Sequence, residues 1–492
     1  MATLSILTPL RVESLAVGGS NLVVGMGPVR ARRAGARLTR RLGADAAVAV
    51  VGVAGGLADD LRTGDLVVAT ELRSTDSDAS VPLPASRLLV GELRRARASV
   101  HTGPLLSSSR YVRGRARQAL AVSGAVAVDM ESAWLSAPLA DRPLAVVRAI
   151  SDTAEDSHLV GGVRALRSLR SVRGPLERWA AACGPREVLL AAPRSFCAGV
   201  ERAIEIVERA LDRFGAPVYV RRQIVHNAHV VRDLEKKGAV FVEELEEIPP
   251  DAVVVFAAHG VAPAVRRDAE ARPDLVVVDA TCPLVAKVHA EARRYAAQDY
   301  ELVLIGHEDH EEVVGTLGEA PERFHVVADV DDVARLELDD DQPVAYLTQT
   351  TLSTDETAVV VDALRARFHR LAAPPSDDIC YATQNRQDAV RAIARRCDLM
   401  LVVGSENSSN TARLVELARQ EGCVAELIED ASRIELGWLA RARTVGVTAG
   451  ASAPESLVQG VIETLASLGP VEIDEQVVAK ESVHFGLPMK VR

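Results

Sequence analysis

Short runs of Val, Leu, Ile and Ala alternate with amphipathic stretches along almost the whole chain, the pattern of strands joined by crossover helices in parallel sheets. In the first part Met1–Leu10, Leu22–Met26, Ala46–Val53, Asp65–Ala69 and Leu144–Ile150 read as buried strands. Val29–Leu42 and Glu131–Ala140 read as helices, and the polar, proline-containing Ser74–Ser86 as a loop. The pattern breaks at Arg173-Gly174-Pro175 and Cys183-Gly184-Pro185, and a new strand starts at Glu187. This predicts two domains, 1–184 and 185–492. In the second, strands are expected at Val188–Ala192, Val253–Ala257, Leu275–Val278, Leu302–Ile305, Val344–Leu347, Leu399–Val403 and Thr444–Val447, with helical patterns between most of them.

A chain of 492 residues exceeds one ordinary core. Its 48% hydrophobic and 25% charged residues are the balance of a globular protein, and with 3% aromatics the cores must be aliphatic. A net charge of -11 argues against nucleic acid, which needs a basic face. The basic run Arg164–Arg178 reads as a solvated helix face. No apolar stretch reaches the roughly 18 residues of a membrane span. The N-terminus lacks the basic start and long apolar segment of a signal peptide. The six cysteines are dispersed, which favours metal binding or catalysis over disulfides. A cytoplasmic protein is expected.

Three of those cysteines sit in strand-to-loop settings rich in small or polar residues: PRSFCAGVERAI (Cys197), DATCPLVAKVH (Cys282) and DDICYATQNRQ (Cys380). Their spacing alone carries no metal signature and is compatible with ordinary buried thiols. Their surroundings suit thiolate ligands, because a strand end leaves backbone N–H groups free to stabilise sulfur charge. Three thiolates would leave one iron of a cluster open; three-cysteine zinc is the rival, but zinc carries no electrons. Cys183, Cys397 and Cys423 lie among apolar residues and read as structural. His226, His259, and His310 with Glu312 follow apolar runs, near where α/β sheets gather ligand groups. Ser408-Ser409-Asn410 lies between a strand and a helix, where it suits either a phosphate or a plain N-cap. Thr448–Ser452 repeats that arrangement.

The motifs PRSFCAGVERAI, VHNAHVV, AHGV, DATCPLVAKVH, GHEDHEEVVGT, TQTTLS, DDICYATQNRQDAVR, VVGSENSSN and VTAGASAPESLV resemble the 4-hydroxy-3-methylbut-2-enyl diphosphate reductases, collinearly from about Glu187 onward. The resemblance implies an α/β fold of three pseudo-symmetric units around a 4Fe-4S cluster. It implies Cys197, Cys282 and Cys380 as cluster ligands. His226, His259, His310, Ser408, Ser409, Asn410 and Ser452 match the diphosphate-binding set, and Thr350 and Glu312, with His310, the groups that handle the substrate hydroxyl and its proton. It further implies an isoprenoid diphosphate substrate; because this half carries no nucleotide fingerprint, a ferredoxin or flavodoxin is expected as electron donor.

In the first domain VVGMGPVRARRAGARL, GVAGGLADDLRTGDLVVA, AVDMESAWL and VVRAISDTAED together resemble the nucleoside phosphorylase and nucleosidase family, particularly its branch associated with hopanoid synthesis. That implies Met130 and Glu131 on the ribose hydroxyls, Asp152 as acid to a purine leaving group, Glu13 as a water-activating carboxylate, and a purine nucleoside conjugate as ligand. A non-catalytic binding or assembly module is the alternative.

Overall fold

In the computed structural model, residues 3–43, 45–96, 98–112, 115–153 and 158–492 are described, with only the backbone of Arg115, His158 and Leu159. The end of the VVRAISDTAED motif, 154–156, therefore lies outside the described residues. Contacts divide the chain into two compact units. One is Met1–Val188 with Asp430–Val445 and Gln459–Asp474; the other is Leu189–Glu429 with Gly446–Val458 and Glu475–Arg492.

The first unit is built on an eight-stranded mixed sheet. Ala47–Gly56 pairs in parallel with Leu4–Thr8 and Leu144–Asp152, while Leu144–Asp152 also pairs antiparallel with Leu66–Ser74. Val100–Ser107 and Ala127–Asp129 complete a ring back to Ala47–Gly56. The expectation of parallel pairing throughout fails here. The segment expected as a loop, Ser74–Ser86, also holds a strand, Ser77–Pro82, paired antiparallel to Leu66–Ser74. It is an exposed polar edge strand held by backbone bonds, so it has no hydrophobic alternation to read. The basic run forms parts of two helices, His158–Leu169 and Arg173–Ala182.

The C-terminal part contains three further sheets. One runs Ala239–Val242, Val218–Arg221, Val253–Phe256, Val276–Asp279; the next Phe324–Val327, Glu301–Ile305, Val344–Thr348, Leu371–Ala372. The third runs Val424–Ile428, Leu399–Val403, Thr444–Ala449, Arg186–Ala192, Val471–Val477. The first two are parallel throughout. Their central strands, such as Val253–Phe256 and Val344–Thr348, are buried along their whole length, which explains their unbroken apolar sequence. The short outer strands Ala239–Val242, Phe324–Val327 and Leu371–Ala372 carry weaker patterns and escape the sequence reading.

The chain passes from sheet to sheet through a cysteine each time. Strand Arg186–Ala192 leads through Cys197 into helix Ala198–Phe214 and the first of these sheets. Val276–Asp279 leads through Cys282 into helix Pro283–Ala296 and the second; Leu371–Ala372 leads through Cys380 into helix Tyr381–Ala394 and back to the third. Helix Ala198–Phe214 buries Ala203, Ile206, Val207 and Ala210, the spacing of a single helical face against the core.

Candidate active sites

Each of the three cysteines is the N-cap of its helix, in extended backbone conformation. A thiol there meets N–H groups that the helix leaves without intrahelical partners, and the positive end of its dipole. Cys282 Sγ faces the N–H groups of Leu284 and Val285, and Cys380 Sγ those of Ala382 and Thr383. The backbone repeats as well: the N–H groups of Cys197, Cys282 and Cys380 donate to the carbonyls of Ala451 (3.3 Å), Ala258 (2.9 Å) and Thr350 (2.9 Å). Those acceptors are, or directly precede, Ser452, His259 and Thr350, so each thiol is tied to a loop carrying another site residue.

All three sulfurs open into one cavity, lined also by His226, His259, His310, Glu312, Thr350, Ser408, Ser409, Asn410 and Ser452. Every C-terminal site residue expected from the sequence is therefore brought together. Gly199 lies between two sulfurs: a Cβ there would stand 2.7 Å from Cys282 Sγ and 3.8 Å from Cys197 Sγ. Burial, and behind it the neighbouring Cys197, pushes the Cys282 thiol up to about 11 and the Cys380 thiol up to about 12. Neither of these two buried thiols ionises readily in such a place without a positive group beside it. The donor set, three sulfurs at three helix N-termini with no disulfide, fits a thiolate-bound metal or cluster.

Three imidazoles cluster in the same cavity. The His226 and His259 rings stack with centroids 4.0 Å apart, and His310 stands edge-on to them at 5.7 and 6.1 Å. Burial, reinforced by His259, drives His226 down to about 3 and His310 to about 4, so both are neutral at physiological pH. His310 caps helix Glu311–Leu317 by accepting the Glu312 backbone N–H at Nδ1, 3.2 Å. An N–H can only donate, so the ring's own proton sits on Nε2, ready to donate to a ligand. His259 Nδ1 lies 3.5 Å from Glu311 Oε2.

Glu312 is 3% exposed, and Thr350 holds both its oxygens. The Thr350 N–H donates to Oε1 at 2.6 Å and its hydroxyl to Oε2 at 2.9 Å. Burial raises the Glu312 carboxyl against the pull of these two bonds, which favours its protonated form. The hydroxyl wall is equally connected. Ser408 caps helix Ser409–Gln420 through the Thr411 N–H, as the N-cap reading anticipated. Ser409 Oγ meets Thr351 Oγ1 at 3.0 Å, Asn410 Oδ1 accepts the Ala451 N–H at 3.0 Å, and Ser452 donates to the His226 carbonyl at 3.0 Å. Thr351 and Gly199 line the cavity without having been singled out in the sequence. Both adjoin motif residues, and only the packing distinguishes them.

The N-terminal unit has its own pocket, which gathers Glu13, Met130, Glu131 and Asp152 with Tyr111, Arg110 and Arg117. Arg148, fully buried, donates from Nη2 to Asp129 (2.6 Å), Glu131 (2.8 Å) and Ser132 (2.8 Å). Glu13 accepts the backbone N–H groups of Leu10 (2.7 Å) and Val53 (2.8 Å). Burial pushes Glu131 up to about 8 against the attraction of Arg148, with Asp129 and Glu13 adding to the rise. Asp152 accepts Ser151 Oγ at 2.7 Å and is ion-paired with the buried Arg117. Neither arginine was anticipated. Arg148 had a signal, a charge in the middle of the apolar strand LAVVRAISD; Arg117, in a short surface-patterned helix, had none.

These two sites, on a three-sheet α/β part and a ring-sheet part, describe a protein with two separate catalytic-type cavities. The chain belongs to the LytB protein family, whose model matches residues 188–466; the phosphorylase superfamily model matches residues 12–167. The 4-hydroxy-3-methylbut-2-enyl diphosphate reductase of Cutibacterium acnes is 56% identical over 312 residues, covering 63% of this chain and 96% of that protein. The enzyme of that name from Mycobacterium ulcerans is 58% identical over 308 residues, 62% of this chain and 92% of its own length. Among solved structures, E-1-hydroxy-2-methyl-but-2-enyl-4-diphosphate reductase from Plasmodium falciparum superposes with a TM-score of 0.60 at 37% identity, covering 63% of this chain and 97% of that one. Among the described residues no helix is long and apolar enough to cross a membrane.

Proposed function

We propose that residues 185–492 reduce 4-hydroxy-3-methylbut-2-enyl diphosphate to isopentenyl and dimethylallyl diphosphate, the last step of the methylerythritol phosphate route to isoprenoids. The observation that carries this reading is one cavity lined by three helix-capping thiols together with imidazoles, hydroxyls and a buried carboxyl. A 4Fe-4S cluster on Cys197, Cys282 and Cys380 would relay the two electrons one at a time and offer a Lewis-acidic iron.

The chain's own groups do the rest. His226, His259 and His310, with Ser408, Ser409, Asn410 and Ser452, take the diphosphate through hydrogen bonds that strengthen with its charge. That anchor holds the allylic C–O bond toward the thiols and shields it from water. Glu312, oriented by Thr350, holds the proton that leaves with the hydroxyl as water. The C–O bond breaks, two electrons enter, and a second proton adds at either end of the allyl unit. A ferredoxin- or flavodoxin-type protein provides the electrons, and six free thiols suit a reducing cytoplasm. Anaerobic turnover of the diphosphate with a chemical reductant tests the reading, and a chain that holds iron yet gives neither product refutes it.

For residues 1–184 we infer cleavage of the N-glycosidic bond of a 5′-substituted adenosine, with Met130 and Glu131 at the ribose and Asp152 at the base. Their convergence in one pocket supports this. The Arg117–Asp152 ion pair favours a second reading, a binding or assembly module, because it occupies the carboxylate that would serve the base. Release of adenine from 5′-methylthioadenosine by the whole chain separates them.

A further inference from the structure

Every crossing between the C-terminal sheets is fastened by a cation from the helix of a different cysteine. On the helix capped by Cys197, Arg202 Nη1 donates to the carbonyls of Ala280 (3.2 Å) and Thr281 (3.1 Å), the two residues before Cys282. On the helix capped by Cys282, Lys287 Nζ donates to the carbonyls of Ser376 and Asp377, 2.8 Å each, and to Asp378 Oδ1 at 3.2 Å, on the approach to Cys380. On the helix capped by Cys380, Arg386 donates to the Ser195 carbonyl from Nη2 (2.7 Å) and Nε (3.1 Å), and to that of Phe196 (3.2 Å). Those are the two residues before Cys197, so the ring closes.

The arrangement answers a local need. A residue in extended conformation before a helix leaves the preceding carbonyls pointing away from both strand and helix, and a cation with several donors satisfies two at once. Arg386 is fully buried. The C-terminal tail reinforces two of the three points: Glu481 accepts Arg386 Nη1 at 3.0 Å, and the Gly486 carbonyl accepts Arg202 Nε at 2.9 Å.

We propose that Arg202, Lys287 and Arg386 are positioning residues forming a cyclic latch, each holding the limb of the next cysteine so that the three thiols stay gathered before any metal arrives. The latch deepens the reading of these thiols as joint ligands, but its test needs no metal. In the metal-free full chain, alkylation rates of individual cysteines are followed by mass spectrometry. Arg202→Gln raises the rate at Cys282, Lys287→Gln at Cys380 and Arg386→Gln at Cys197. Each rise is about tenfold or more, the least expected on local opening when two or more charge-assisted hydrogen bonds are lost or weakened. Cys423, buried in the same part of the chain, reports global loosening and stays at the wild-type rate.

A rise at the wrong cysteine, a parallel rise at Cys423, or no rise overturns the latch. Should a Gln variant fail to fold, Arg202→Lys and Arg386→Lys, which keep the charge but lose donors, give smaller rises at the same cysteines. The selective pattern in a chain that takes up no iron would leave the latch standing and refute the cluster assignment.

Discussion

Glu312→Gln separates the proton from the shape of the site. The carboxyl is buried, and its two oxygens meet one N–H and one hydroxyl of Thr350 at 2.6 and 2.9 Å. Glutamine keeps the first bond through Oε1. It keeps the second by reversing it, because the Thr350 hydroxyl can rotate to accept from the new amide. Fold and diphosphate affinity should then change little, whereas Glu312→Ala orphans the buried Thr350 N–H and costs about 1–3 kcal/mol before any cavity term. What Gln cannot do is donate a carboxyl proton, and loss of a positioned acid is worth about 10²–10⁴-fold in rate. The assay is anaerobic turnover with a chemical reductant, beside substrate affinity by calorimetry and iron content per chain. Turnover should fall by that factor with affinity and iron near wild type. If affinity collapses while turnover per bound substrate survives, Glu312 is a binding residue and the proton assignment is wrong.

Three further outcomes follow from the charges in the two cavities. His226 and His310 are neutral without ligand, with values of about 3 and 4, so a bound diphosphate should draw protons onto them. Calorimetry in buffers of different ionisation heat should register net proton uptake near pH 7, and none would contradict the imidazole anchor. The unfolded chain protonates these histidines near 6.5 and the folded chain refuses, so their own contribution to stability is lost as pH drops from about 6.5 toward 4, while the raised Glu131 carboxyl contributes in the opposite sense; denaturant melts of His226→Gln and His310→Gln beside the wild type should show a smaller loss in the variants over that window. In the N-terminal pocket Asp152→Asn should abolish adenine release and leave diphosphate reduction untouched; unchanged release would remove Asp152 from the chemistry.

Much of this was legible in the sequence where chemistry and local pattern coincide. The central strands of the C-terminal sheets are continuous apolar runs, and Leu399–Val403 has the same ends in the structure as in the pattern. The twelve C-terminal site residues lie in the loops that punctuate those runs or in the first turn of the helices that follow, which is why motif and cavity agree. Outer strands are too short or too polar to carry a period, hence Ser77–Pro82 and Leu371–Ala372 went unseen. The buried cations were missed for another reason. Arg117 and Arg386 look like ordinary helix charges until packing reveals which carboxylate and carbonyls they serve.

The central claim is that Cys197, Cys282 and Cys380 together hold the iron that reduces the diphosphate. The most direct test is iron and acid-labile sulfide per chain after anaerobic loading, measured with turnover, for the wild type and for single Ser variants at all six cysteines. The account predicts about four irons and four sulfides in an active wild type. Cluster and activity should be lost in Cys197→Ser, Cys282→Ser and Cys380→Ser, and both kept in Cys183→Ser, Cys397→Ser and Cys423→Ser. A fully active, fully loaded Cys282→Ser protein, or a wild type that binds zinc and no iron, would contradict it.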